Sequence, residues 1–303
     1  MSAFSRVTVA IAEWPPIRSI FTNTRAGTAL VRRFVAGDTL PDAIGVAAAL
    51  NRKGMKVSLD LLGEEVHSGK EVESALNGYI ACLDEIAANA IDGNISIKLT
   101  QLGLAFDPEL ARSALDRLAA SASHLGLTVT IDMEDSSYTE ATIDIYAAAQ
   151  KQHGNLGLAL QAYLRRTPDD LHRLMPLGGH LRLCKGAYVE PESVAFTSAD
   201  EVDAAFARLL RALMLDEGVT AAVATHDPDL IGLTRQLSRQ RREPFEFQML
   251  YGVRPQAQKE LAAAGFPIRV YVPYGSRWYP YLVRRLAERP ANLGFFLRAL
   301  INR

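Results

Sequence analysis

Short apolar or β-branched runs recur along the chain, each followed by a longer stretch with the spacing of an amphipathic helix. The runs are Lys56–Leu62, Asn94–Leu99, Leu127–Met133, Leu156–Ala162, His180–Cys184, Val219–Ala224, Phe245–Leu250 and Ile268–Val272. Helix starts fall between them. Asp107-Pro108 opens a helix expected to reach Leu125, Thr167 stands as N-cap to Pro168–Leu174, and Thr39-Leu40-Pro41 opens one reaching about Asn51. Eight strand–helix units of roughly 30 residues each predict an α/β chain closed into a (βα)8 TIM-like barrel. A doubly wound open sheet is the alternative, weakened because no GxGxxG follows any strand. Upstream, Trp14–Ala36 reads as a helical arm. The expected organisation is an N-terminal helical arm over 1–55 and a catalytic barrel over 56–303, with no linker or composition shift between them.

In such a barrel the chemistry gathers where the strands end, because the βα loops converge there on one mouth. From the second strand onward the ends read Lys98, Asp132 with Glu134, Gln161, Arg182 with Lys185, Thr225 with His226, Gln248, and Tyr271. Deeper positions in the same strands read as Val, Ile, Leu and Ala. One charged strand end ordinarily faces solvent, but polar groups at seven of the eight ends point to a shared site. Lys98, Arg182 and Lys185 supply cations for an anionic ligand, and Arg284-Arg285 adds two more on the last helix. Neighbouring residues on a helix diverge by about 100°, so these two arginines converge only if that helix lies across the mouth. Otherwise they form a solvated helix face.

Composition narrows the alternatives. Over 303 residues the net charge is −1, so no global field points to nucleic acid or an anionic membrane, and an anion must be held locally. Cys82 and Cys184 form no CxxC and read as reduced thiols of a cytoplasmic protein. The six histidines show no metal-ligand spacing, so no metal is expected. No apolar run reaches the length of a membrane span, and the first residues lack a signal-peptide pattern. A soluble protein is expected, or at most one seated peripherally at the inner face of a membrane.

Several segments resemble the flavin-dependent proline dehydrogenases. They are SIKLTQLGLAFD (Ser96–Asp107), TIDMED (Thr130–Asp135), LQAYLRR (Leu160–Arg166) and LRLCKGAYVEP (Leu181–Pro191). ATHD (Ala224–Asp227), FEFQMLYGV (Phe245–Val253) and VYVPYGSRWYPYLVRRLAERPAN (Val270–Asn292) continue the match, which runs in order from about Phe34 to the C-terminus. The resemblance implies a distorted barrel with noncovalent FAD at its mouth and the last helix over the barrel end. It implies L-proline as substrate and a quinone electron acceptor at the membrane surface. Carried over position by position, Lys98, Arg284 and Arg285 match the holders of the proline carboxylate, and Glu288 the acidic partner of the arginines. Asp132 matches an essential carboxylate, Tyr188 and Tyr271 pack on the proline ring, and Leu250 is an apolar wall. Arg182 is similar to the arginine beside the reactive flavin edge. Met133, Gln161, Lys185, Gly186, Ala187, Thr225 and His226 match flavin-contacting positions, while Tyr138 and Glu134 carry no assigned role. The chain ends eleven residues after Asn292, so no aldehyde dehydrogenase domain is expected in it, and its N-terminal arm is short beside that of the family.

Two other classes compete. A barrel aldolase or phosphate-binding isomerase would use Lys98 or Lys185 as a Schiff-base nucleophile. A degenerate barrel serving as a binding module would require part of the constellation to be lost, and the matched positions are all present.

Overall fold

The computed structural model describes residues 24–63 and 66–287. Eight parallel strands close into a barrel in sequence order: β1 (Lys56–Leu61), β2 (Gly93–Ile97), β3 (Val129–Ile131), β4 (Leu156–Gln161), β5 (His180–Cys184), β6 (Thr220–Ala224), β7 (Phe245–Leu250) and β8 (Ile268–Tyr274). Closure comes from β1, whose Ser58 sits beside Asn94 of β2 on one side and Tyr271 of β8 on the other. All eight expected runs are strands, and the open sheet is excluded.

Among the described residues two helices precede the barrel, α1 (Arg25–Phe34) and α2 (Leu40–Asn51). The outer ring contains α3 (Gly69–Ala88), α4 (Pro108–His124), α5 (Thr139–His153), α6 (Thr167–Leu174), α7 (Ala199–Leu215), α8 (Pro228–Leu237) and α9 (Pro255–Ala263). The expected starts hold where the cap chemistry is strong. Thr39 and Asp42 form a reciprocal capping box at α2, and Asp107 accepts from the Leu110 N–H ahead of Pro108. Thr167 is not a cap. It lies inside α6 and spends its hydroxyl on the Gln161 carbonyl at 2.5 Å, tying the helix to the end of β4. Of the arm expected over Trp14–Ala36, α1 is the described part.

The apolar side of each strand faces the helices, not the barrel axis. Val57, Leu59, Ile95, Ile97, Val129, Ile131, Leu181, Leu183, Val270 and Val272 are buried in one cluster with apolar helix residues such as Leu76, Leu83, Leu115, Leu118 and Phe206. The alternate positions point inward, and on β1, β2, β3, β5, β7 and β8 they are polar, contrary to the expectation of aliphatic residues below the mouth, whereas β4 and β6 contribute the small Gly157, Ala159 and Ala222. Strands that are not neighbours can touch only through the interior, and several do. The Arg269 guanidinium on β8 donates to Asn94 Oδ1 on β2 at 3.2 Å, and Thr130 Oγ1 on β3 lies 2.6 Å from His180 Nε2 on β5. Gly157 on β4 makes room for that imidazole, since a Cβ there would fall 2.0 Å from His180 Nε2. Such a filled polar interior adds less stability than an apolar one but holds a defined geometry, because each group has few alternatives.

Two helices depart from the simple ring. α2 packs outside β1 and β8 through Ala43, Ile44, Ala47 and Leu50, where a helix following β8 would ordinarily lie. The helix that does follow β8, α10 (Tyr279–Ala287), joins Leu30, Phe34 and Val35 in a separate apolar cluster. That cluster includes Leu62, just past β1, and packs on Leu250 at the end of β7, so α10 sits at the C-terminal end of the barrel.

Candidate active site

The inward positions at the strand ends meet in one network centred on Asp132. Its Oδ2 accepts from the Tyr271 hydroxyl at 2.6 Å and faces Lys98 Nζ at 3.4 Å, while its Oδ1 accepts from Arg182 Nη1. Three strands besides its own therefore converge on one carboxylate. Lys98 has a closer partner, Asp60 Oδ1 at 3.0 Å, whose side chain is 1% exposed. Arg182 spends its remaining edges on Gln248 Oε1 at 2.5 Å and Ser96 Oγ at 2.8 Å. Its guanidinium also lies 5.4 Å from the Tyr271 ring centroid, a cation–π contact.

Charge in this cluster is balanced. Lys98 and Arg182 face Asp60 and Asp132, so a bound carboxylate would need cations from outside the cluster. Burial by itself would strip the proton from Lys98, but the Asp60 carboxylate, and then Asp132, outweigh it and hold the ammonium well above its ordinary value. Burial, followed by the neighbouring Asp132 carboxylate, likewise pushes the Tyr271 phenol well above its usual range, which keeps it a donor. Lys185 is also held protonated: burial opposes this, but Asp203 and Asp227 prevail. A Schiff-base nucleophile must be a neutral amine, so neither lysine suits that role.

The remaining matched positions line the β3–β7 side of the mouth. The Gln161 side-chain amide donates to the Glu134 carbonyl at 2.8 Å, which turns its own carbonyl oxygen the other way. Glu134 is buried and tied to Thr100 through the backbone N–H at 3.0 Å and the hydroxyl at 2.5 Å. Desolvation raises its pKa. Its visible work is to join the β2 and β3 loops. The Leu250 N–H donates to His226 Nε2 at 2.9 Å, so the neutral imidazole carries its proton on Nδ1. Thr225 is buried and accepts from the Asp227 N–H, and Met133 is buried in the main core. Gly186 has φ +117°, and a Cβ there would meet the Tyr163 ring at 2.2 Å, so this turn admits only glycine. Ala187 is exposed beyond it, and Tyr188 follows in the same loop, which is latched to the β3 loop where Glu190 accepts from Ser136 N and Oγ at 2.7 and 2.5 Å. Cys184 accepts no nucleophilic role, since burial lifts its thiol to about 11.

Lys98, Arg182 and Tyr271 thus all meet Asp132, whereas Lys185 is drawn aside by Asp203 and Asp227. On α10, the Arg285 guanidinium lies 5.4 Å from the Tyr281 ring centroid. Glu288 and the side chain of Arg284 lie outside the described residues. Sequence reasoning missed Asp60 and Ser96 as members of the cluster, and it placed Gln248 at a strand end of the shared site without giving it a role.

A closed parallel barrel with an interlocked Lys–Asp–Arg–Tyr cluster at its C-terminal mouth belongs among the (βα)8-barrel enzymes. The proline dehydrogenase family model matches residues 43–298. Proline dehydrogenase 1 of Bacillus subtilis subsp. natto is 44% identical over 283 residues, covering 92% of each chain. The proline dehydrogenase of Deinococcus radiodurans is 34% identical over 306 residues, covering 98% of each. Among solved structures, proline utilization A from Bdellovibrio bacteriovorus superposes with a TM-score of 0.81 at 22% identity, over 93% of this chain and 36% of that one, a likeness of fold. The chain belongs to the proline dehydrogenase family, and it is an oxidoreductase. Membership implies a flavin cofactor.

Proposed function

We propose that this protein oxidises L-proline to Δ1-pyrroline-5-carboxylate with a noncovalently bound FAD, the first step of proline catabolism. The observation that carries the reading is the convergence of Lys98, Arg182 and Tyr271 on Asp132 at the barrel mouth. When bound, FAD supplies acceptance of a hydride from proline C5 at its N5, with the electrons passed on to a quinone at the inner membrane surface. No helix among the described residues is long and apolar enough to cross a membrane.

The donor set suits a flavin. Gln161, Thr225 and His226 offer neutral polar groups for the ring edges and ribityl chain, Lys185 an ammonium donor fixed by Asp203 and Asp227, and Arg182 a positive charge beside the ring. Gly186, Ala187 and Met133 supply backbone and apolar surface. Because the Lys98–Asp60–Asp132–Arg182 cluster is already neutral, the proline carboxylate draws its net attraction from Arg284 and Arg285 on α10, with Glu288 holding them and Lys98 contributing a donor. Tyr188, Tyr271 and Leu250 enclose the ring. Asp132 fixes Lys98, Arg182 and Tyr271 at once, which sets the substrate's orientation.

The test is the visible spectrum. The purified enzyme is expected to be yellow, to lose its flavin absorbance when L-proline is added without oxygen, and to release the flavin on acid precipitation. A colourless protein after FAD-supplemented expression, or flavin unmoved by proline, would contradict the reading. A sharper expectation concerns Tyr271, whose ring packs where a C4 hydroxyl would press. Tyr271→Ser should weaken proline turnover and narrow the preference for proline over trans-4-hydroxy-L-proline roughly tenfold. An unchanged ratio of kcat/KM values would remove Tyr271 from the substrate contact.

A further inference from the structure

Beneath the mouth, the barrel interior holds an ion pair that the chemistry above does not use. Glu246 on β7 and Arg269 on β8 are joined at 2.6 Å (Nε to Oε1) and 3.1 Å (Nη2 to Oε2). Arg269 is itself pinned, its Nη1 donating to the Val57 carbonyl at 2.9 Å and to Asn94 Oδ1. Glu246 Oε1 accepts a further bond, from Gln248 Nε2 at 2.7 Å, and the other end of that same carboxamide accepts from Arg182 Nε. Glu246, Gln248 and Arg182 are all buried.

We propose that Glu246, anchored by Arg269, is a positioning residue for the reaction: through the Gln248 carboxamide it sets the plane of the Arg182 guanidinium, and hence the placement of Asp132. The proposal rests on the function proposed above and deepens it.

A carboxamide can bind either way round, and its own shape gives almost no preference. Here the anion decides. Turned end for end, Gln248 would aim its oxygen at the Glu246 carboxylate and its NH2 at the Arg182 N–H, two repulsive contacts in a buried space. Burial alone would raise the Glu246 carboxyl, but the Arg269 guanidinium outweighs it and keeps the group below its ordinary value, so the anion persists. Without that anion, Gln248 loses its orientation and Arg182 loses the acceptor at Nε. The guanidinium then keeps Ser96 and Asp132 only on its outer edge and is free to pivot about them. Arg182 carries one side of Asp132, so a pivot passes directly to the carboxylate that also holds Lys98 and Tyr271. An ion pair that only braces β7 against β8 would have no reason to share an oxygen with Gln248.

The experiment compares flavin-loaded wild type, Glu246→Gln, Gln248→Met and the double variant. Anaerobic rapid mixing gives the rate constant for flavin bleaching at saturating proline, per bound flavin. Dithionite bleaching and thermal melting are recorded beside it. A displacement of about 1 Å at a reacting centre costs roughly 10²-fold, so each single variant should slow proline-driven bleaching by about that factor while dithionite bleaches it fully. The double variant should be no slower than the slower single one, because both break the same chain of contacts. Wild-type rates in Glu246→Gln, or a fall confined to melting temperature and flavin content, would overturn the proposal. So would losses that multiply in the double variant. If Glu246→Gln does not fold, Gln248→Met alone decides, since it leaves the ion pair intact, and a wild-type rate there overturns the proposal. Wild-type flavin that ignores proline would instead refute the proposed function, so the two failures are distinguishable.

Discussion

Replacing Asp132 by alanine is expected to slow proline-driven flavin bleaching by roughly 10²–10³-fold while the protein stays folded and yellow. The magnitude follows from what the carboxylate holds. It accepts from Tyr271 at 2.6 Å, faces Lys98 at 3.4 Å and pairs with Arg182. Loss of the group that fixes these donors lets the reacting centre shift, and a misplacement of about 1 Å costs roughly 10²-fold, with about 1.4 kcal/mol to each factor of ten in rate. The fold should survive better than the chemistry because each cation keeps another partner. Lys98 still has Asp60, and Arg182 still has Ser96 and Gln248. What is lost is the one group that ties the three donors together. Thermal melting and the bleaching rate, measured on the same preparation, separate the two roles. A variant that unfolds, or that melts far lower with an unchanged rate per bound flavin, would make Asp132 a structural residue.

The strands were legible because their outward faces are aliphatic and because several of the helices between them begin with Asp or Ser caps, as at Ser68, Asp107, Ser198 and Asp227. The mouth was legible because polar residues stand where apolar runs end. The first strand shows where this reading fell short. KVSLDLL reads first as a short apolar or β-branched run that hides Asp60, yet Ser58 and Asp60 alternate with Val57, Leu59 and Leu61 at the period of a strand with one polar face. The same alternation runs through Asn94 and Ser96, His180 and Arg182, Glu246 and Gln248, and Arg269 and Tyr271. It announces a polar barrel interior, against the usual expectation of a branched aliphatic filling. What periodicity could not supply is which strand ends touch. That depends on the stagger of the closed barrel, which sets β5 against β2, β3 and β7 across the axis. Nor could it show that Lys185, level with Arg182 in sequence, is drawn away by Asp203 on α7 and Asp227 ahead of α8.

Lys98→Met is expected to cost stability as well as activity, because Lys98 is the cation for two carboxylates and one of them is almost wholly enclosed. Asp60 is 1% exposed on its side chain and loses its ion-pair partner when the ammonium goes. An uncompensated buried charge costs about 3–5 kcal/mol, a large share of the roughly 5–15 kcal/mol that holds a domain together. At about 2–4 °C per kcal/mol for a chain near this size, the melting temperature should fall on the order of 10 °C. The pH dependence has a definite sign. The folded-state pKa of Lys98 lies above its ordinary value of 10.5, so its contribution is complete below that value and is lost only as pH rises through the folded one. The gap between wild type and variant should therefore stay level between about pH 7 and 9. Adding Asp60→Leu to Lys98→Met replaces the buried pair with apolar groups of similar size, which is often neutral or stabilising. The double variant should recover much of the lost melting temperature and none of the proline-driven bleaching, because the ammonium that faces Asp132 is still missing. Equal melting of Lys98→Met and wild type would show that Asp60 finds another partner. Recovery of bleaching in the double variant would show that Lys98 serves only to neutralise Asp60.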